Sequence, residues 1–183
     1  MIGLRFALML AIVFMVVGCS GSTRTASGTA PGGDKPAAAV KVGTRENPVP
    51  VGEAYTFRKS GRVYDITVTD GERNAAQRVK GANQFNTAPP AGSDYIVTRV
   101  RVDYKEGSAS DPFRTPSTGI EYYAGNRMWG APSTTVAEEP KFSGQNIFPG
   151  ASVDGWLGGK HVPTELMADA LLVFDGVYFA VPE

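Results

Sequence analysis

The sequence predicts an all-β protein, a two-sheet antiparallel sandwich of about seven to nine short strands. Three observations carry that expectation. Residues 62–69 (RVYDITVT) and 93–104 alternate apolar and polar side chains with a period of two, the period of a half-buried strand. Asp175-Gly176 lies between two apolar runs, a strong short-range hairpin signal. The chain carries 22 Gly and 13 Pro, which suits strands and turns better than helices.

The first residues read as an export signal. Residues 1–5 carry one positive charge, Arg5, and residues 6–17 form an uninterrupted apolar core. That core is shorter than the roughly 20 residues of a permanent membrane helix. It ends Val16-Val17-Gly18-Cys19, and Cys19 is the sole cysteine. This run resembles the bacterial lipobox, in which an aliphatic residue, a variable residue and Gly or Ala precede the Cys. Val16 stands where Leu is commoner. The resemblance implies a diacylglyceryl group on the Cys19 thiol, removal of the signal peptide 1–18, and Cys19 as first mature residue. Two lipid chains give the stable anchoring that one does not.

Cleavage would leave 165 of the 183 residues, a one-domain length, with 17 basic against 18 acidic side chains. A nucleic-acid binder would show a basic excess or stripe, and none is present. With its only Cys at the anchor, the domain has no disulfide and relies on an apolar core, for which its length suffices. Residues 19–39 are the expected lipid-anchored flexible linker. They hold Ser, Thr, Gly, Ala and Pro with no large apolar side chain, and cannot bury enough to offset ordering. As a random coil the linker reaches about 25 Å.

The domain, residues 40–183, opens on an irregular or edge segment, because Pro48 and Pro50 forbid a central strand there. Strands follow over 54–58 and 62–69, where Tyr64, Ile66 and Val68 share one face. Asp70-Gly71 reads as a turn, and 74–80 as the next strand, a short helix being the competing reading. Residues 81–92 form a long loop. Over 93–104, Ile96, Thr98, Val100, Val102 and Tyr104 face one way, while Val97, Arg99, Arg101 and Asp103 face the other, toward water. Short strands are expected at 120–124 and 127–129 around Gly125-Asn126. A second long loop, 131–144, carries Glu138-Glu139. A strand at 152–157 follows Pro149-Gly150, a first-turn proline marks a helix at 163–169, and a hairpin closes the chain over 170–181.

Residues 43–52 (GTRENPVPVG), 95–102 (YIVTRVRV) and 149–156 (PGASVDGW) resemble, in order and spacing, an immunoglobulin-like domain of Gram-positive secreted and lipid-anchored proteins. It belongs to the antigen-type immunoprotective extracellular immunoglobulin superfamily. The resemblance covers most of 43–183. It implies an immunoglobulin-like sandwich on the extracytoplasmic face of the cell membrane, and brings no catalytic residues. Residues 157–163 (LGGKHVP) depart from the family pattern, so that strand ends early or bulges.

No constellation points to catalysis or to a cofactor. His161, the only histidine, sits beside Gly158-Gly159 without a nearby Cys or patterned acid, which suits a surface or turn residue rather than a triad or zinc site. Asp70, Glu72, Asp154 and Asp175 lie near turns, where loop carboxylates of exported β-domains bind calcium, but nothing has EF-hand spacing. Phe113, Tyr122, Tyr123 and Trp129 are densely placed. Tyr122 and Tyr123 point to opposite faces of a strand, so one joins the core. The core is the simpler destination for most of these rings. Tyr123, Arg127 and Trp129 form the candidate partner-binding patch. The expected role is a non-enzymatic binding module for an envelope protein or small ligand. An enzyme assembled from distant strands, and a structural spacer, are the alternatives.

Overall fold

A computed structural model describes residues 41–116, 119–130 and 141–183. The expected signal peptide, Cys19, the linker 19–39 and Glu138-Glu139 lie outside the described residues. Two antiparallel sheets face each other across one core. Sheet I runs β1 (Ala54–Lys59), β2 (Arg62–Glu72), β3 (Ser93–Glu106), β8 (Ser152–Trp156), with β9 (Lys160–Pro163) also on β3. Sheet II runs β11 (Val177–Ala180), β10 (Leu171–Phe174), β5 (Ile120–Ala124), β6 (Arg127–Met128). A two-stranded pair, β4 (Phe113–Arg114) with β7 (Asn146–Ile147), stands apart. The all-β sandwich is therefore the fold. Its described strand segments number eleven, because β4 and β7 are two-residue pairings and one edge is broken into β8 and β9.

The core joins the inward faces of both sheets. Ile66, Val68, Ile96, Val100, Val102 and Tyr104 of sheet I meet Ile120, Tyr122, Leu172, Phe174 and Phe179 of sheet II. Every inward residue foreseen on β3 is buried. The Thr98 and Tyr122 hydroxyls hydrogen-bond across the interior, one from each sheet, and both residues are 0% exposed. Burial pushes the Tyr122 phenol well above its ordinary value, with the Thr98 hydrogen bond acting the other way. One end of the sandwich is plugged by rings: Phe57 stacks on Tyr64 at 5.3 Å, and Phe113 packs on Tyr64 at 4.7 Å.

The outward face of β3 is divided. Tyr95 and Val97 are buried there, because helix α1 (Ala76–Ala82) lies over them and forms a second cluster with Ala75, Val79 and Trp156. The strand reading of 74–80 is thus corrected to a helix. AQRVKGA has one β-branched residue and one Gly among good helix formers, and Asp94 Oδ1 accepts the first helical N–H, from Ala76, at 2.8 Å. Beyond the helix, the same face carries Arg99, Arg101, Asp103 and Lys105. Their charges are paired: Arg99 with Asp154 at 2.8 Å, Arg101 with Asp103 at 2.7 Å, and Lys105 with Asp65 at 2.6 Å.

Two turn readings change. Asp70-Gly71 lies inside β2, which runs on to Glu72. The register slips between Val68 and Asp70, so Thr69 is the extra residue of a bulge, and Asp70 Oδ1 accepts the Gly71 N–H at 2.8 Å. The break expected after Trp156 takes the form of a bulged edge. Leu157 N–H donates to Thr98 O at 2.9 Å, and the chain re-pairs with β3 as β9, Ser93 opposite Pro163. A 3-10 helix, Thr164–Asp169, follows Pro163 as expected. The 170–181 hairpin forms as read, with Asp175 at φ 47° in its turn.

Candidate functional site

The outward face of sheet II carries the site. Along β10, β11 and β5 the residues that alternate away from the core are Leu171, Val173, Tyr178, Ala180, Glu121 and Tyr123, with Met128 beside Tyr123 on β6. Tyr123 and Tyr178 meet edge to face at 5.7 Å. Both remain partly exposed.

Local sequence brings a cation to these rings. In GTREN, the Gly43 and Thr44 N–H groups donate to Asn47 O at 2.8 and 3.2 Å, and Asn47 N–H donates to Thr44 Oγ1 at 3.1 Å. This turn presses on β11 so closely that a Cβ at Gly43 would stand 2.8 Å from Val177 Cγ1. It directs Arg45 over the sheet. Arg45 Nη1 donates to Tyr123 Oη at 2.9 Å and to Asn126 Oδ1 at 3.3 Å, and its Nε donates to Glu46 Oε1 at 2.9 Å. Tyr123 Oη in turn donates to Asn126 Oδ1 at 2.7 Å. The Glu46 carboxyl is held below its ordinary value by a backbone N–H and by Arg45.

Asn126 is placed by the β5–β6 turn, in which Gly125 and Asn126 have φ 55° and 64°, the pattern of a type I′ hairpin. The turn lies against the 3-10 helix, where Gly125 leaves room for Leu166: a Cβ would meet Leu166 Cδ1 at 2.5 Å. Between turn and helix opens a groove of about 540 Å³, lined by Arg45, Tyr123, Asn126, Ala168, Asp169 and Leu171. Arg45 also borders a second depression of about 350 Å³ that includes Lys41, Glu46, Tyr55 and Tyr178. Arg45 stands between the two; the trough on the sheet II face is the first, and the second opens at the rim of the sandwich, where Tyr55 of sheet I packs toward the core. The walls of the trough carry both signs of charge.

The structure divides the sequence-derived patch. Tyr123 stands opposite Met128 and Ala124 opposite Arg127, while Trp129 N–H donates to Tyr122 O at 2.8 Å. Arg127 and Trp129 therefore share the inward side of the hairpin with Tyr122 and Ala124, and Tyr123 is on the other. Trp129 packs against the core edge, donates its Nε1–H to Ala124 O at 3.1 Å, and carries the Arg127 guanidinium 4.4 Å from its ring centre. Phe113 and Tyr122 are core residues.

His161 sits on β9, edge-on to Tyr95 at 6.1 Å. Of the acids near turns, Glu72 pairs with Arg78, Asp154 with Arg99 and Asp175 with Lys59. Among the described residues no three His, Cys, Asp or Glu side chains gather as for a metal ion. Sequence reasoning missed Arg45, Asn126, Asp169 and Tyr178. Alternation against Phe179 was the available signal for Tyr178. Nothing local foretold Arg45, whose partners lie 78 and 81 positions away.

No family model and no curated protein matches the chain. Among solved structures the chain is similar to ycdA of Bacillus subtilis, described as a candidate lipoprotein, at 18% identity and a TM-score of 0.41. The likeness covers 57% of this chain and 29% of that one, so the chain spans under a third of ycdA's length.

Proposed function

We propose that this protein is a lipoprotein held on the extracytoplasmic face of the cell membrane through Cys19, and that its sandwich, of immunoglobulin type, is a non-enzymatic binding module. The anchor rests on the Val16-Val17-Gly18-Cys19 run after an apolar core. The binding role rests on one observation. Arg45, Tyr123 and Asn126 are tied into a network on the solvent side of sheet II, beside an open groove, where the core makes no use of them. Half-exposed rings and an Arg around a trough are the composition of recognition surfaces.

Metabolic labelling with a fatty acid tests the anchor: the wild type takes the label and Cys19→Ala does not. Equal labelling of both overturns it. Binding is tested by recovering envelope components with the wild type and with Tyr123→Ala, both verified folded. Loss of a recovered component in the variant supports the face, and unchanged recovery removes it.

A further inference from the structure

We infer that the trough binds a polyhydroxylated, near-neutral chain, that is, a glycan; the inference rests on the binding role proposed for this face and names its ligand.

The first argument is the arrangement of polar groups. A sugar hydroxyl both donates and accepts, so a wall suited to it offers both kinds of group at short range. Asn126, which lines the groove, spends its Oδ1 on Arg45 and Tyr123, and its amide N–H₂ has no partner among the described residues, so it can serve as a donor. Asp169 lines the same groove and has no ion-pair partner among the described residues, so its carboxylate supplies acceptors. Arg45 is already neutralised by Glu46 at 2.8 Å. The wall is thus polar without a surplus of either charge, which disfavours a phosphate backbone or a strongly acidic ligand.

The second argument is the floor. Leu171, Ala168 and the side of Tyr123 give it apolar area, and Tyr178 stands edge-on to Tyr123 on the same outward face. A pyranose ring has an apolar face that lies on such rings while its rim hydroxyls reach the walls, the division of labour of most ligand sites. The trough is open, and a second depression lies on the far side of Arg45, which leaves room for a chain of sugars rather than a single small metabolite.

The third argument disfavours a peptide. Extended peptides bind β-proteins mainly by adding a strand at a free edge. Beside this face that edge is taken. Val49 N–H donates to Tyr178 O, Ala180 N–H to Val49 O, and Tyr178 N–H to Gly43 O, at 2.9 to 3.0 Å. The outer side of β11 is closed by the protein's own 43–49 segment, and the opposite edge, β6, is two residues long, too short to hold a peptide by strand addition.

The test is an amide chemical-shift titration of the purified, isotope-labelled protein with three probes: cellotetraose, its N-acetylated counterpart chitotetraose, and a mixed-charge heptapeptide. The expected result is saturable shifts with at least one oligosaccharide at residues 43–46, 123–126, 168–171 and 177–178. Tyr123→Ala, and separately the exposed Asp169→Ala, should weaken that binding by about tenfold or more. Because the Asp169 side chain is exposed and makes no hydrogen bond or ion pair among the described residues, its variant keeps the test valid if Tyr123→Ala fails to fold. Shifts at these residues with the peptide alone overturn the glycan assignment and leave the binding face standing. No shift with any probe overturns the glycan assignment, and the binding face falls with it if envelope recovery is also unchanged. Oligosaccharide shifts elsewhere, unaffected by either variant, overturn the placement.

Discussion

Replacing Tyr122 by Phe should destabilise the sandwich through the partner it leaves behind. The Tyr122 and Thr98 hydroxyls meet between the sheets, and both residues are fully buried. The single change leaves the Thr98 hydroxyl without that partner and without water, at a cost of about 1–3 kcal/mol. Thr98→Val strands the phenol in the same way. The double variant removes both polar atoms at nearly constant shape and should come close to the wild type. The singles therefore should not add, and the coupling energy, which equals their sum when the double variant matches the wild type, should be about 2–6 kcal/mol. Urea denaturation of the four proteins, followed through Trp129 and Trp156, measures it directly, with a constant m-value showing that the unfolded reference is unchanged. In thermal scans each single should lose roughly 3–12 °C at this domain size. A double variant that loses the sum of the singles would refute the reasoning, since it would mean that each hydroxyl is satisfied elsewhere.

Gly155→Ala should destabilise β8 by about 1–3 kcal/mol by urea denaturation, because a Cβ there would stand 2.5 Å from Phe142 N and 2.6 Å from Lys141 C, backbone that cannot swing aside; an unchanged midpoint would refute the close approach. Arg78→Ala should cost about 0.5–2 kcal/mol, since its guanidinium lies 3.8 Å from the Trp156 ring centre, and it should also shift Trp156 fluorescence. The acid limb of stability should reflect two carboxyls. Burial alone would raise Asp65, but hydrogen bonds from Lys105 and Thr56 outweigh it, and Asp103 is held low chiefly by Arg101. A group with a depressed folded value contributes stability above its unfolded value, near pH 4, and loses it as pH falls through the folded value. Asp65→Asn and Asp103→Asn should therefore lower stability at pH 7 and flatten its decline below pH 4; a decline of unchanged slope in both would refute the assignment.

How legible each part was follows from the range of the interactions that set it. The β3 face was readable because its alternation runs through residues 93–104 of a 14-residue strand, and the two hairpin turns because their backbone needs are met by adjacent residues. The error at 74–80 had a physical source: seven residues are too few to show a helical period, and the helix exists because Tyr95 and Val97 leave an apolar patch that needs a cover. Asp70-Gly71 reads as a turn in isolation, but pairing with β3 overrides it and stores the extra residue as a bulge. The separation of Tyr123 from Arg127 and Trp129 depended on the register of β5 against β6, since a hairpin's pairing decides which side chains share a side. The Arg45 network depended on a strand pairing across the whole domain, which no local pattern encodes.

The strap of residues 43–49 along β11 has a mechanical meaning. Val49 bridges Phe179 in parallel, so the start of the described chain and its last strand are fastened side by side. A pull arriving through Lys41 does not peel β1 first. It loads the Gly43–Tyr178 and Val49–Ala180 hydrogen bonds together, lengthwise, before any of it reaches sheet I. A domain towed from that end would yield at its rim only after several bonds give way at once.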